Sequence, residues 1–396
     1  MKKLAILGGE PAFKEPLHVG RPNLPDKKVL LKYLDSIFES RWLTNNGPLV
    51  RKFREKLEDT LQVRNCIPIC NGTIALELAE RVLGFKDEVI LPSFTFVATA
   101  HSLQWQKITP VFADIGANDV TIAPESIRQM LTPKTTGIIG VHVYAYPCDY
   151  KSIGEIAAEK NLRVLYDAAH AFCCSVDNTP YANLGDATVF SFHATKFFNT
   201  FEGGAIATND DSLAEEVRLM SNFGFAGGVL DQVDYLGING KMTEISAAMG
   251  LAMLDSIEQI RERNRQNFEA YREAFALIEG LELIEPPPNG TSNNWQYIIV
   301  RVDENKFGLS RDRLVETLRA ENIYVRRYFY PGCHRMHPYR ELFPNAGVFL
   351  PNTEQLVDQV ISFPTGQVID EQSIRIISEC LTAMSSSSLK IKDRSE

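Results

Sequence analysis

No two cysteines in this sequence are spaced as CxxC, and the seven present are scattered and odd in number. That argues against a disulfide framework and fits a reducing compartment, where thiols stay free. Metal ligands are equally sparse. His170, Cys173 and Cys174 have no second ligand pair at a suitable spacing, and His334 and His337 form an HxxH without the glutamate of HExxH. No metal site is expected. No apolar run reaches the roughly 18 residues of a membrane span. The opening MKKLAILGGEPAF starts as a signal peptide does, but its apolar part is short and runs into Gly-Gly-Glu. The expected location is therefore the cytoplasm. Positive charge is not in excess either: a net charge of −9 gives no electrostatic reason to seek nucleic acid or an anionic membrane. Internal repeats are absent, and the one biased segment is the tail SSSSLKIKDRSE. Residues 385–396 are expected to be disordered.

What is present describes a soluble globular chain of 396 residues, 44% hydrophobic and 23% charged, long enough for a large and a small domain. Between about residues 66 and 210, β-branched and aromatic runs at 88–94, 108–115, 137–144, 163–169, 187–193 and 204–209 alternate with helix-like stretches such as 73–83 and 152–160. Near-continuous apolar strands alternating with helices predict an α/β fold, with a mainly parallel sheet covered on both faces. Ligands of such sheets bind beyond the carboxyl ends of the strands. After residue 243 the texture changes to one long helix or two joined ones, then Pro286, Pro287 and Pro288, a strand in NNWQYIIVRV, and helices in SRDRLVETLRAENI and near 367–384. The division expected is a large domain over 1–255 and a smaller α+β domain over 256–384.

Chemistry-bearing residues fall at those strand ends. Lys196, in SFHATKFFNTFEGG, follows an apolar strand and is flanked by Phe192, Phe197 and Phe198. Burying an ammonium among such residues is costly unless it finds a partner or loses its charge. A covalent imine with an aldehyde cofactor resolves that conflict. Asp167, in VLYDAAHA, can face the pyridine nitrogen of pyridoxal 5'-phosphate and keep it protonated, or can equally cap the helix that follows. Gly72 and Thr73, in CNGTIALELA, stand at a helix start where exposed N–H groups attract phosphate. Ser191 can add a hydroxyl. Of Phe94 and Phe96 at the edge of the 88–94 strand, Phe96 is the favoured ring to stack on the cofactor.

The segments YDAAHAF, SFHATKFFNTFEGGAIAT and GINGKMTEISAAMGLAML, with SRWLTNNGPLVRKFREKL, CNGTIAL and PSFTFVATA before them, resemble the DegT/DnrJ/EryC1/StrS family of sugar aminotransferases, of fold type I, over nearly the whole chain. The resemblance implies a seven-stranded large domain and a pyridoxal-phosphate enzyme. In it, Lys196 matches the Schiff-base lysine and Asp167 the pyridine-nitrogen aspartate. His170 matches a position, usually Gln or His, near the cofactor's ring hydroxyl, and Gly72, Thr73 and Ser191 match phosphate ligands. Asn239, in GINGKM, matches an asparagine that reaches the phosphate of the neighbouring subunit, which implies a homodimer with shared active sites. Lys241 stands where many members have Arg, and VHVYAYPCDY departs from the commoner VHLYGQP form at Tyr146. The implied chemistry is a ping-pong transamination from L-glutamate, leaving 2-oxoglutarate, to a nucleotide-linked keto sugar. VRRYFYPGCHRMHPYR is similar to members that aminate dTDP-4-keto-6-deoxyglucose at C4. Three alternatives stay open. A 3-keto-sugar aminotransferase of the same family is one. A non-catalytic pyridoxal-phosphate-binding regulator is another, opposed by the intact lysine–aspartate pair and the lack of an added DNA-binding module. The third, a doubly wound enzyme unrelated to this cofactor, is weakened in its dinucleotide form because no GxGxxG follows the first strand.

Overall fold

The computed structural model describes residues 3–226, 231–287 and 291–393. Its centre is a seven-stranded sheet in the order Asn65–Ile69, Gly204–Thr208, Ala187–Ser191, Arg163–Asp167, Thr135–Val141, Glu88–Pro92, Thr109–Ala113. The last five strands run parallel to one another, and Gly204–Thr208 is antiparallel to both of its neighbours. These strands are buried almost throughout, as a sheet covered on both faces requires. The fold is thus α/β with a mostly parallel sheet.

Six of the seven strands fall on the apolar runs read above. The seventh, Asn65–Ile69, carries Pro68 in its interior. A proline is tolerated there because this strand lies at the sheet edge, with one neighbour only.

The covering helices follow from local signals. Gly72–Val82 starts behind Asn71, whose side chain accepts from the Ile74 amide at 2.9 Å. Tyr150–Lys160 is capped by Asp149 and buries Ile153, Ile156 and Ala157. Glu244–Leu254 is apolar on nearly every side and correspondingly buried. It is joined through a short turn to Ile257–Phe275. The latter packs with Glu371–Ser386 around an antiparallel sheet of Leu281–Leu283, Ile298–Val302 and Val360–Phe363.

Two expectations need correction. The tail continues the fold through residue 393: Glu371–Ser386 is followed by the helix Ser388–Lys392, and Ile391 is fully buried with its carbonyl accepting from Arg313 at 2.7 Å. One apolar side chain anchors a segment whose serines read as disorder. Residues 394–396 lie outside the described residues, as does Pro288 of the proline run. Nor does the start of the chain side with the large domain. Leu17–His18 pairs with Ile323–Tyr324, Leu4 is buried in the C-terminal core, and Glu321 accepts from the amides of Ala5 and Ala12.

Candidate active site

A cavity of about 700 Å³ opens beyond the carboxyl ends of the parallel strands. It is lined by Gly72, Thr73, Phe96, Asp167, His170, Ser191 and Lys196, seven of the eight residues singled out from the sequence. The eighth, Asn239, is exposed, pairs through its backbone with Asn222, and is not on the cavity wall.

Lys196 is set in a turn directly after Ala187–Ser191, its amide donating to the His193 carbonyl at 2.8 Å. The floor of that turn is aromatic. Phe192, Phe197 and Phe198 are at most 1% exposed, and Phe198 stacks on both Phe172 and Phe53. Among the described residues no carboxylate lies within ion-pair distance of Nζ. Burial therefore pulls the amine down to about 8, against an opposing pull from Asp167. A half-buried primary amine lowered this far, though still mainly protonated at neutrality, has far more of its nucleophilic neutral form than an ordinary lysine.

Asp167 ends Arg163–Asp167 and is buried. Burial raises its carboxyl, while the Ala169 amide at 3.0 Å, the Thr99 hydroxyl at 2.9 Å and the charge of Lys196 favour the carboxylate. Thr95 lies 2.9 Å from Thr99, so a relay of hydroxyls fixes one carboxylate oxygen. His170, three residues on, is buried among aromatic rings, 4.3 Å from Tyr297 and 5.6 Å from Phe329 between centroids. Burial and the nearby Lys196 hold it well below its ordinary value.

At the other end of the cavity, the N-terminal turn of Gly72–Val82 meets Ser191. A Cβ on Gly72 would come within 2.9 Å of the Ser191 Cβ, and one on Gly204 within 2.8 Å of the Asn71 backbone. Both glycines are required by close approach. The Gly72 and Thr73 amides make no hydrogen bond among the described residues, as expected of a first turn, and they are available to an anion. Phe96 is 57% exposed at the cavity wall, whereas Phe94 is fully buried against Tyr144 and Phe329. Only Phe96 can present a face to a bound ring.

Sequence reasoning missed Thr99, which supports Asp167 from behind the wall, and the walls themselves formed by Tyr297 and Phe329 beside His170 and by Val19–Arg21 and Arg326 from distant parts of the chain. Only Thr99 had a readable signal, lying one helical turn beyond Phe96. Taken together, the arrangement fits pyridoxal phosphate: a free amine for its aldehyde, a buried carboxylate for its ring nitrogen, open amides with a hydroxyl for its phosphate, and an aromatic face.

The DegT/DnrJ/EryC1/StrS aminotransferase family matches residues 26–382. The chain is 39% identical over 353 residues to a dTDP-4-amino-4,6-dideoxy-D-glucose transaminase of Shigella dysenteriae, covering 89% of this chain and 94% of that protein. It is 35% identical over 367 residues to the Escherichia coli protein of the same name, covering 92% and 97%. Among solved structures, DesI, determined in the presence of its TDP-sugar product, superposes with a TM-score of 0.94 at 43% identity, over 99% of this chain and 98% of that one. The cavity, its lysine and these likenesses lead to one conclusion: the chain belongs to the DegT/DnrJ/EryC1/StrS aminotransferase family and is a pyridoxal-phosphate-dependent aminotransferase.

Proposed function

We propose that this enzyme moves the amino group of L-glutamate onto C4 of dTDP-4-keto-6-deoxyglucose, in a homodimer with shared sites. The observation that carries the reading is the likeness, over nearly the full chain, to transaminases named for dTDP-4-amino-4,6-dideoxy-D-glucose and to DesI with its TDP-sugar.

In this reading Lys196 Nζ holds the cofactor covalently, and Gly72, Thr73 and Ser191 hold its phosphate. Phe96 covers its ring, His170 donates toward the ring oxygen, and Asp167 keeps the ring nitrogen protonated. Bound so, the cofactor supplies an electron sink for the carbon that gains or loses nitrogen. Lys196 Nζ, when released as a free amine, takes and returns the proton at the reacting carbon of the substrate. Arg326, on the cavity wall with no carboxylate partner among the described residues, suits the anionic donor. Glutamate and sugar use the same cavity in turn.

The homodimer is supported by large apolar side chains left exposed, among them Phe38, Trp42, Leu43, Phe223 and Leu236, the last two near Asn239 in sequence. Cys66, Cys70, Cys148, Cys173, Cys174 and Cys333 are free thiols, which supports a cytoplasmic location.

The test is to incubate the protein with pyridoxal phosphate, glutamate and either dTDP-4-keto-6-deoxyglucose or its 3-keto isomer, and to locate the new amine by NMR. Amination at C4 is expected. Amination at C3 alone, or none, overturns the assignment.

A further inference from the structure

His170 is joined to a strained turn on the neighbouring strand. Beyond Thr135–Val141, Tyr144 and Ala145 sit at φ +55° and +67°, where non-glycine residues are strained and persist only when surroundings hold them. Both are essentially fully buried. The surroundings are identifiable: the Tyr144 hydroxyl donates to the Tyr328 carbonyl, and its ring stacks on Phe329 at 5.9 Å with 4° between planes. In that conformation the Tyr144 amide points at His170 Nδ1, 3.1 Å away.

An amide N–H can only donate, so Nδ1 must carry the lone pair and the single ring proton must sit on Nε2. Nε2 makes no hydrogen bond among the described residues, and the ring lines the cavity. We propose that Tyr144 is a positioning residue: its left-handed turn locks His170 as a permanently neutral donor that presents Nε2–H to an oxygen of the bound cofactor.

The titratable groups around His170 oppose any other state. Lys196 faces it as a cation, and burial raises the phenols of Tyr144 and Tyr297 so that they stay uncharged. Asp167, on the same strand end, is engaged by Thr99 and Ala169. The lock predicts that glutamine can stand in for His170. A glutamine can accept from the Tyr144 amide with its oxygen and donate into the cavity with its nitrogen, which is what neutral His170 does. A residue used for its proton transfer could not be exchanged in this way.

The inference rests on the cofactor reading above, so its first test needs no cofactor. In cofactor-free protein labelled with ¹⁵N-histidine, His170 is assigned by the resonance lost in H170Q. It should show one lone-pair nitrogen and one protonated nitrogen, with the proton on Nε2, unchanged from pH 6 to 8.5. An imidazolium, or the Nδ1–H tautomer, in that range overturns the lock. In Y144A, which removes the ring stack and the hydroxyl, the two tautomers should mix; an unaltered His170 spectrum removes Tyr144 from the role. The second test is pyridoxal phosphate affinity by absorbance titration. H170A should bind about tenfold more weakly than the parent, the loss expected for one hydrogen bond to a charged acceptor. H170Q should recover most of that loss, with no change in the pH profile of binding. H170Q binding as weakly as H170A, or a titration between pH 6 and 8 lost in H170Q, overturns the proposal. If no variant binds the cofactor at all, the functional reading has failed instead, and the nitrogen spectra still decide the lock.

Discussion

Lys196 and Asp167 form an electrostatic pair without touching. The amine is pulled down to about 8 by burial, first, and is pushed back up by the carboxylate. The carboxyl is raised by burial and held down by the Ala169 amide, Thr99 and the amine. Because only the neutral amine attacks an aldehyde, cofactor capture by the stripped protein should accelerate with pH up to about 8 and level off above it. Replacing Asp167 by Asn removes the charge that favours the ammonium. The plateau should then begin at lower pH, although the finished enzyme loses most of its turnover. Stopped-flow absorbance across pH measures both, and a plateau that moves upward in D167N contradicts the pairing. At this scale the sequence was informative where a residue and its partners are close along the chain. Lys196 among its phenylalanines and Gly72 at a helix start are of this kind. Phe329 was not legible as a wall of the site, nor Tyr144 as a support behind it, because 184 residues separate the Tyr144 hydroxyl from the Tyr328 carbonyl that receives it.

Among the elements, the helix Pro48–Leu61 shows how the aromatic floor under Lys196 is kept in place. Its start has no side-chain cap of its own. Instead Glu244, 1% exposed at the head of Glu244–Leu254, accepts from the amides of Leu49 and Val50 at 2.8 and 3.0 Å. Phe53, on the same helix, packs on Phe192 and Phe198, so the cap is one step removed from the catalytic turn. Glu244→Ala leaves two first-turn amides without an acceptor and removes a negative charge from a positive helix end. It should cost about 2 kcal/mol, read as a lower urea midpoint at unchanged slope. A loss below about 0.5 kcal/mol would show that the helix start is satisfied some other way. Elements were legible where the hydrophobic pattern alone decides them. Strands buried on both faces appear as continuous apolar runs, and six were found so, five of them parallel. The edge strand Asn65–Ile69 was hidden by its proline, and Ser388–Lys392 by its serines, since in each case a distant contact outweighs local preference.

At the scale of the molecule, the cavity is assembled from three regions: the ends of the parallel strands, Val19–Arg21 brought over by the N-terminal segment, and Arg326 beside the small sheet. Such long-range assembly is what composition and periodicity cannot display. For the same reason the sequence did not show that the N-terminal segment is tied to the C-terminal core through Leu4 and Leu17–His18. The proposed homodimer would add a fourth region. If Asn239 reaches the partner's cofactor, the K196A and N239A subunits of a mixed dimer place their defects in the same site. One site then carries both lesions and the other none. Unfolding and refolding the two inactive proteins together should restore about a quarter of parental activity, from half the dimers having one intact site each. Restored activity no greater than the sum of the separate variants would mean that the sites are not shared.

The account depends most on the bond assigned to one side chain. Reducing the cofactor-loaded protein with borohydride and mapping its peptides by mass spectrometry should find a single pyridoxyl group, on Nζ of Lys196. A pyridoxyl group on another lysine, or none on the peptide containing Lys196, contradicts it.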